Sequence, residues 1–250
     1  MYKRQEKILY LRSDKTVLRR DDKIVKIFSG SYSKADVLNE ALNQARAEET
    51  NLNVPTVYEV TKADGKWAIV SQYIEGKTLR AMMEENPEKR EEYLDYFIGL
   101  QMAIHAEKCP LLIRMRDKLR RKIADAEDIE ATTRYDLIDR LERMPTHYKV
   151  CHGDFNPSNV IITAEGKPYI VDWVYATQGC ASADVAYSYL LFCQSDGDAF
   201  AERYLDRYAE KSGTDKSYIK RWIPIVACAN LTQNRAIDRK MFAAWAHVNE

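Results

Sequence analysis

No apolar run in this chain approaches the roughly eighteen residues of a transmembrane helix. The opening Met1-Tyr2-Lys3-Arg4-Gln5-Glu6 lacks the apolar stretch of a secretory signal. A cytosolic protein with no membrane partner is the expectation. The five cysteines, at 109, 151, 180, 193 and 228, are odd in number and show no Cys-x-x-Cys spacing, and the four histidines stand singly. Neither a disulfide framework nor a zinc site is indicated. Net formal charge is zero, which removes any general pull toward nucleic acid or anionic membrane. Its one basic run, Arg114 to Lys122, lies beside Leu111, Leu112, Met115 and Leu119 and reads as the wet side of an amphipathic helix. There is no internal repeat and no low-complexity linker, and no feature specifies an oligomeric state.

What the chain does have is Val150-Cys151-His152-Gly153-Asp154-Phe155-Asn156-Pro157-Ser158-Asn159, followed thirteen residues past Asn159 by Asp172 in Tyr169-Ile170-Val171-Asp172-Trp173. Phosphoryl transfer asks little covalent work of a protein. It needs Mg²⁺ held on the phosphates and an acceptor hydroxyl aligned while one carboxylate takes its proton. Asp154 suits the carboxylate role. Asn159 and Asp172 supply the hard oxygen ligands that Mg²⁺ prefers. Tyr148 to Cys151, Val160 to Thr163 and Tyr169 to Val171 read as short strands, with Glu165-Gly166 turning between the last two. Turn punctuation alone accounts for any one of these residues. It accounts poorly for all of them at this spacing.

Upstream, Lys7 to Leu11, Lys15 to Arg19 and Lys23 to Phe28 read as strands of a meander. Ser33 with Asp36 opens a helix on which Val37, Leu38, Ala41, Leu42 and Ala45 recur at helical spacing. Thr56 to Val60 and Trp67 to Ile74 then read as two more strands. Lys26, set among aliphatics, can reach nucleotide phosphates while Glu40 on the helix holds its ammonium. Lys23 and Glu48 are the substitutes for that pair. Beyond Thr78 the pattern is mainly helical, with stripes at Tyr93, Tyr96, Phe97, Leu100 and Ile104, at Leu137, Ile138 and Leu141, and at Tyr187, Leu190 and Leu191.

His152 to Asn159 resembles the catalytic motif of the aminoglycoside phosphotransferase and choline kinase-like family, in which Gly153 stands where protein kinases carry Arg. Ile170-Val171-Asp172-Trp173 is similar to that family's second metal motif, and Ala183-Asp184-Val185-Ala186 to its Asp-aliphatic-Ala segment. The resemblance is specific over residues 150 to 186 and follows element order alone elsewhere. It implies a two-lobed α+β protein kinase-like fold, with a small antiparallel-sheet N-lobe and a mainly helical C-lobe. The pattern change near Gly76 places these lobes at 1–76 and 77–250. ATP or GTP with Mg²⁺ is the implied donor, and a hydroxylated small molecule the acceptor.

By the same resemblance Lys26 pairs with Glu40, and Gln72, Tyr73 and Ile74 form the inter-lobe linker whose backbone meets the adenine. Gly76 is expected to give that linker freedom to turn. Asp184 is expected to be buried at the start of a helix Ala183 to Phe192, accepting hydrogen bonds from the backbone around His152 and Gly153; the alternative is a simple N-cap. The chain departs from the pattern in one respect. No Gly-x-Gly-x-x-Gly lies between the first two strands, where Arg12-Ser13-Asp14 contains no glycine.

The expected activity is a small-molecule kinase, the alternative a nucleotide-binding regulator that does not turn over. A protein kinase is the weaker reading, because no Ala-Pro-Glu segment follows Asp172. The stretch after Gln194 shows no acidic excess to meet a polycationic aminoglycoside. The acceptor is therefore expected to be a metabolite of low net charge, bound near Trp222, Asn230, Gln233 and Asn234.

Overall fold

The computed structural model describes residues 6–11, 14–232 and 237–247. In chain order its elements are β1 (Glu6–Leu11), β2 (Lys15–Arg20), β3 (Lys23–Phe28), α1 (Lys34–Glu48), β4 (Val57–Ala63), β5 (Lys66–Gln72), β6 (Lys77–Thr78), α2 (Leu79–Glu85), α3 (Arg90–Ala106), α4 (Met115–Ala124), α5 (Ala131–Arg143) and β7 (Lys149–Cys151). There follow β8 (Val160–Ile162), β9 (Pro168–Ile170), β10 (Thr177–Gly179), α6 (Ala181–Asp196), α7 (Asp198–Ser212), α8 (Lys216–Lys220), α9 (Ile223–Asn230) and α10 (Arg239–Ala246). Contacts divide the chain into two compact units, 1–85 with 158–175, and 86–157 with 176–250. Gly76, where the sequence pattern changes, falls inside the first unit. Arg12 and Ser13 of the expected first turn, and Gln233 and Asn234 of the expected acceptor site, lie outside the described residues.

The first unit is built on an antiparallel sheet of order β1-β2-β3-β5-β4. Alternation along the strands splits its apolar residues between two faces. Leu18, Val25, Ala68 and Val70 cluster on one. On the other, Phe28 and Ile69 meet Val37 and Ala41 of α1. Helix α1 starts where Ser33 and Asp36 form a reciprocal capping box. Its buried face is not the expected all-apolar stripe. Leu38 and Leu42 are exposed, and Glu40 and Asn43 are buried in their place. Asn43 Nδ2 donates to the Val174 carbonyl at 3.1 Å, which ties α1 to the segment after β9.

A second small sheet, β6-β8-β9, completes this unit. Gly76 is required here for space rather than for a special turn: a Cβ would collide with the backbone carbonyl of Ile162.

In the second unit α6 is buried on every side, from Ser182 through Leu190, as befits a central helix of mixed apolar and small residues. The ring of Phe97 on α3 stacks on Phe155 with centroids 4.4 Å apart and meets Phe192 and Tyr204 edge-on. Each such fully buried ring contributes about 2 kcal/mol by area alone. The buried face of α3 runs Leu94, Phe97, Ile98, Gln101, Ile104 and His105. It is thus rotated from the stripe expected through Tyr93, Tyr96 and Leu100, because two polar residues, Gln101 and His105, take core positions. Strand β7 pairs antiparallel with β10. No described helix is long and apolar enough to cross a membrane.

Candidate active site

In the first unit, the β8–β9 hairpin brings the two candidate metal ligands near one another. Val160 pairs with Ile170, and Val171 N–H donates to the Asn159 carbonyl at 3.0 Å, so Asn159 lies across the hairpin beside Asp172. Asp172 takes a left-handed backbone, φ 66. Asp tolerates that region better than most residues, and strain of about 1 kcal/mol is typical there. Lys26 on β3 binds Asp172 Oδ1 at 3.0 Å and also pairs with Glu40 Oε1 from α1. Burial alone would lower the Lys26 pKa, but Asp172 and Glu40 more than offset it and hold the ammonium above the ordinary lysine range. Lys26 is therefore a firmly charged group, compensated from two sides.

The substitutes for that pair sit elsewhere. Lys23 is exposed, with its ammonium 5.3 Å from the centre of the Tyr58 ring. Glu48 Oε1 accepts from Val57 N–H at 2.8 Å and thereby fastens β4 to α1. In the linker, Gln72 N–H donates to the Thr56 carbonyl and Tyr73 N–H to that of Asp22, while the Tyr73 ring lies under the Arg19 guanidinium at 4.0 Å. Ile74 alone of the three keeps its amide N–H without a partner among the described residues. Among the linker's backbone donors, that group is the one left for the expected adenine contact.

Lys15, absent from the expected set, lies beside this cluster. It is half-buried at the first position of β2, and burial together with the charge on Lys26 lowers its pKa. Alternation puts Lys15, Val17 and Arg19 on one face of β2, but only the register against β3 sets that face beside Lys26.

The second unit holds Asp154 in a loop fixed by its backbone. Asp184, only 2% exposed, accepts Gly153 N–H on Oδ1 at 2.7 Å and His152 N–H on Oδ2 at 3.2 Å. His105 Nε2 lies 3.0 Å from the same Oδ2, and its Nδ1 lies 3.0 Å from the Tyr208 hydroxyl. Burial would raise the Asp184 pKa, but the His105 bond and charge, His152 and the Gly153 amide outweigh it and depress it. Asp184 stands in the first turn of α6 and is not its N-cap, which is Cys180. The positive helix terminus still favours its charge.

Gly153 has φ 76, a conformation strained for any other residue. Asp154 N–H donates to His152 Nδ1 at 3.2 Å, and Asn156 Nδ2 donates to the Asp154 carbonyl at 3.0 Å. One turn along α6 from Asp184, Ser188 Oγ donates to the Phe155 carbonyl at 2.7 Å. Gln101 Nε2 donates to that hydroxyl, and Tyr204 donates to Gln101 Oε1. The loop is gripped on both sides of Asp154.

His105, Cys151 and Asp184 are close enough together to share a metal ion. Their chemistry speaks against one. Both Asp184 oxygens are engaged, and burial pushes the Cys151 thiol well up, away from the thiolate a metal needs. In the expected acceptor region Trp222 and Asn230 are buried, and Asn230 Nδ2 is spent on the Val226 carbonyl of its own helix. Asn230 is core.

The model of the phosphotransferase enzyme family matches residues 9–218. Among solved structures, a thermostable mutant of aminoglycoside phosphotransferase APH(4)-Ia, in ternary complex with AMP-PNP and hygromycin B, superposes with TM-score 0.70 at 18% identity, over 97% of this chain and 90% of that one. A choline/ethanolamine kinase family protein from Mesorhizobium loti gives 0.62 at 18% identity, over 96% and 84%. Choline kinase LicA from Streptococcus pneumoniae gives 0.59 at 15%, over 98% and 87%. No curated protein matches. At these identities the likeness establishes the fold, the two-lobed kinase-like arrangement of a small antiparallel sheet and a mainly helical part.

Proposed function

This chain belongs to the phosphotransferase enzyme family, and from that premise we propose that it is a small-molecule kinase, transferring the γ-phosphoryl group of ATP or GTP to a hydroxyl in the presence of Mg²⁺. The observation that carries the reading is Lys26 ion-paired with both Glu40 and Asp172, while Asn159 lies across the hairpin from Val171, the residue before Asp172. A structural ion pair needs only one carboxylate. A lysine shared between a helix glutamate and a candidate metal ligand suits polyphosphate chemistry.

The donor set fits Mg²⁺, since an amide oxygen from Asn159 and a carboxylate from Asp172 are hard ligands. When bound, the ion neutralises charge on the phosphate oxygens. Lys26 holds the phosphates, Glu40 holds Lys26, and the linker at Ile74 receives the base through its amide. Asp154 orients the acceptor hydroxyl and takes its proton. His152 and Asp184 keep the Asp154 loop in register. Retention of Asp154 favours turnover over mere binding, because a regulator has no use for the base. The cytosol is the fitting compartment, with five cysteines all free and buried.

The solved relative bound to hygromycin B and AMP-PNP supports nucleotide use, but the acceptor does not carry over. Three acids of the stretch after Gln194 are already paired: Asp196 with Arg90, Glu202 with Lys216 and Lys220, and Asp206 with Lys216. The acceptor is a hydroxylated metabolite of low net charge. Mg²⁺-dependent ATP consumption across sugars, amino alcohols and kanamycin-type antibiotics tests this. Turnover confined to the antibiotics contradicts the acceptor class, and no turnover with any acceptor favours the regulator.

A further inference from the structure

We propose that Lys15 is a ligand for the nucleotide's β- and γ-phosphates, supplying from one side chain the grip that a glycine-rich loop supplies elsewhere with backbone N–H groups. The assignment rests on the kinase reading above and adds a residue to it.

The register of β2 against β3 places it. Lys15 pairs with Phe28, and Val17 with Lys26. Cross-strand partners share a face, as do residues two apart in a strand. Lys15 and Lys26 therefore lie on the same face as diagonal neighbours, with Cβ atoms about 7 Å apart, within reach of two long side chains.

Their compensation is unequal. Lys26 has Glu40 and Asp172. The Lys15 ammonium makes no hydrogen bond or direct ion pair among the described residues, although Asp172, Glu40 and Asp14 are near enough to act on its charge. Its chain neighbour Asp14 instead accepts the Tyr32 hydroxyl at 3.0 Å. Lysines usually keep their ammonium in water. A half-buried one in direct contact with no carboxylate, next to a second cation, carries a desolvation cost that an anionic ligand offsets. The lowered Lys15 pKa reports that cost, since burial and Lys26 outweigh the opposing pull of Asp172, Glu40 and Asp14.

Position and chemistry then point to one class of ligand. Lys15 follows the β1–β2 connection, where the sequence carries no glycine to bring backbone N–H groups to a phosphate. Two lysines stand on one sheet face, Lys26 ion-paired with Glu40 and Asp172 and Lys15 with no residue directly, so among the described residues of this cluster the Lys15 ammonium is open to a ligand. A polyphosphate carries the density of negative charge that meets it.

Isothermal titration of wild type, Lys15→Met and Lys15→Arg with ATP, ADP and adenosine, each with Mg²⁺ present, tests the assignment. Lys15→Met should weaken ATP and ADP about tenfold or more, the loss expected for a charge-assisted bond, and leave adenosine unchanged. Lys15→Arg should recover most of the loss. Nucleotide-free Lys15→Met should melt no lower than wild type, because an uncompensated charge has been removed. ATP and ADP affinities unchanged in Lys15→Met, or a markedly lower melting temperature that exposes a structural partner, would overturn the assignment and leave the kinase reading standing. Wild type that binds no nucleotide overturns both.

Discussion

Lys26 and Asp184 are both ionised groups withdrawn from water, and they are held by opposite means. Around Lys26 the compensation is charge: two carboxylates on one ammonium, in a site where Asp172 keeps 28% of its side chain exposed. Around Asp184 the compensation is hydrogen bonding. Two backbone amides and a histidine saturate a carboxylate that no water reaches. Charges that can be re-partnered suit ligand binding, since a phosphate or a cation exchanges with them at modest cost. A carboxylate with both oxygens committed to fixed donors suits rigidity. On the proposed function, the contrast separates the part of the molecule that would receive the nucleotide from the part that would fix the base.

That contrast sets an order of effects. Asp184→Ala orphans the His152 and Gly153 amides and His105 together, and should cost about 3 to 5 kcal/mol in urea unfolding. A loss below about 1 kcal/mol would show that the loop does not depend on it. Lys26→Met leaves Glu40 and Asp172 facing one another, but both can relax toward solvent. A smaller loss of about 2 kcal/mol is expected, with nucleotide turnover abolished. Turnover near wild type would remove Lys26 from the phosphate site.

Acid should separate the clusters as well. The folded-state pKa of Asp184 lies below its ordinary value. Its contribution is therefore complete above the ordinary carboxylate range and is lost as pH falls through the folded value. Wild type should lose stability on that acid limb, and Asp184→Asn should show a flatter limb; parallel curves would contradict the assignment. At the bottom of the scale, Lys77 pairs with Glu85 with both side chains more than half exposed. Lys77→Ala should shift stability by less than about 0.5 kcal/mol.

The strands of the first unit were legible because alternation and Asp- or Gly-containing turns specify them locally. The capping box at Ser33 was legible for the same reason. Helix faces were less so. A hydrophobic stripe predicts burial only when the core is apolar, and here Glu40, Asn43, Gln101 and His105 occupy core positions because each finds a hydrogen-bond partner or ion pair that no periodicity encodes. Leu38 and Leu42 are exposed as the counterpart of that exchange. Lys26 and Glu40 could be matched by residue type and element order. Lys15 could not, since its place beside Lys26 depends on the β2–β3 register, and the tether from Ser188 to the Phe155 carbonyl joins residues 33 apart in the chain.

The central claim is a division of labour in which Asn159 and Asp172 serve metal and nucleotide while Asp154 serves the chemical step alone. Measuring Mg·ATP affinity and acceptor-dependent turnover side by side in Asp154→Asn tests it most directly. The account predicts affinity within about twofold of wild type and turnover reduced by a factor of about 10² or more. Turnover retained, or affinity lost in step with turnover, would contradict it.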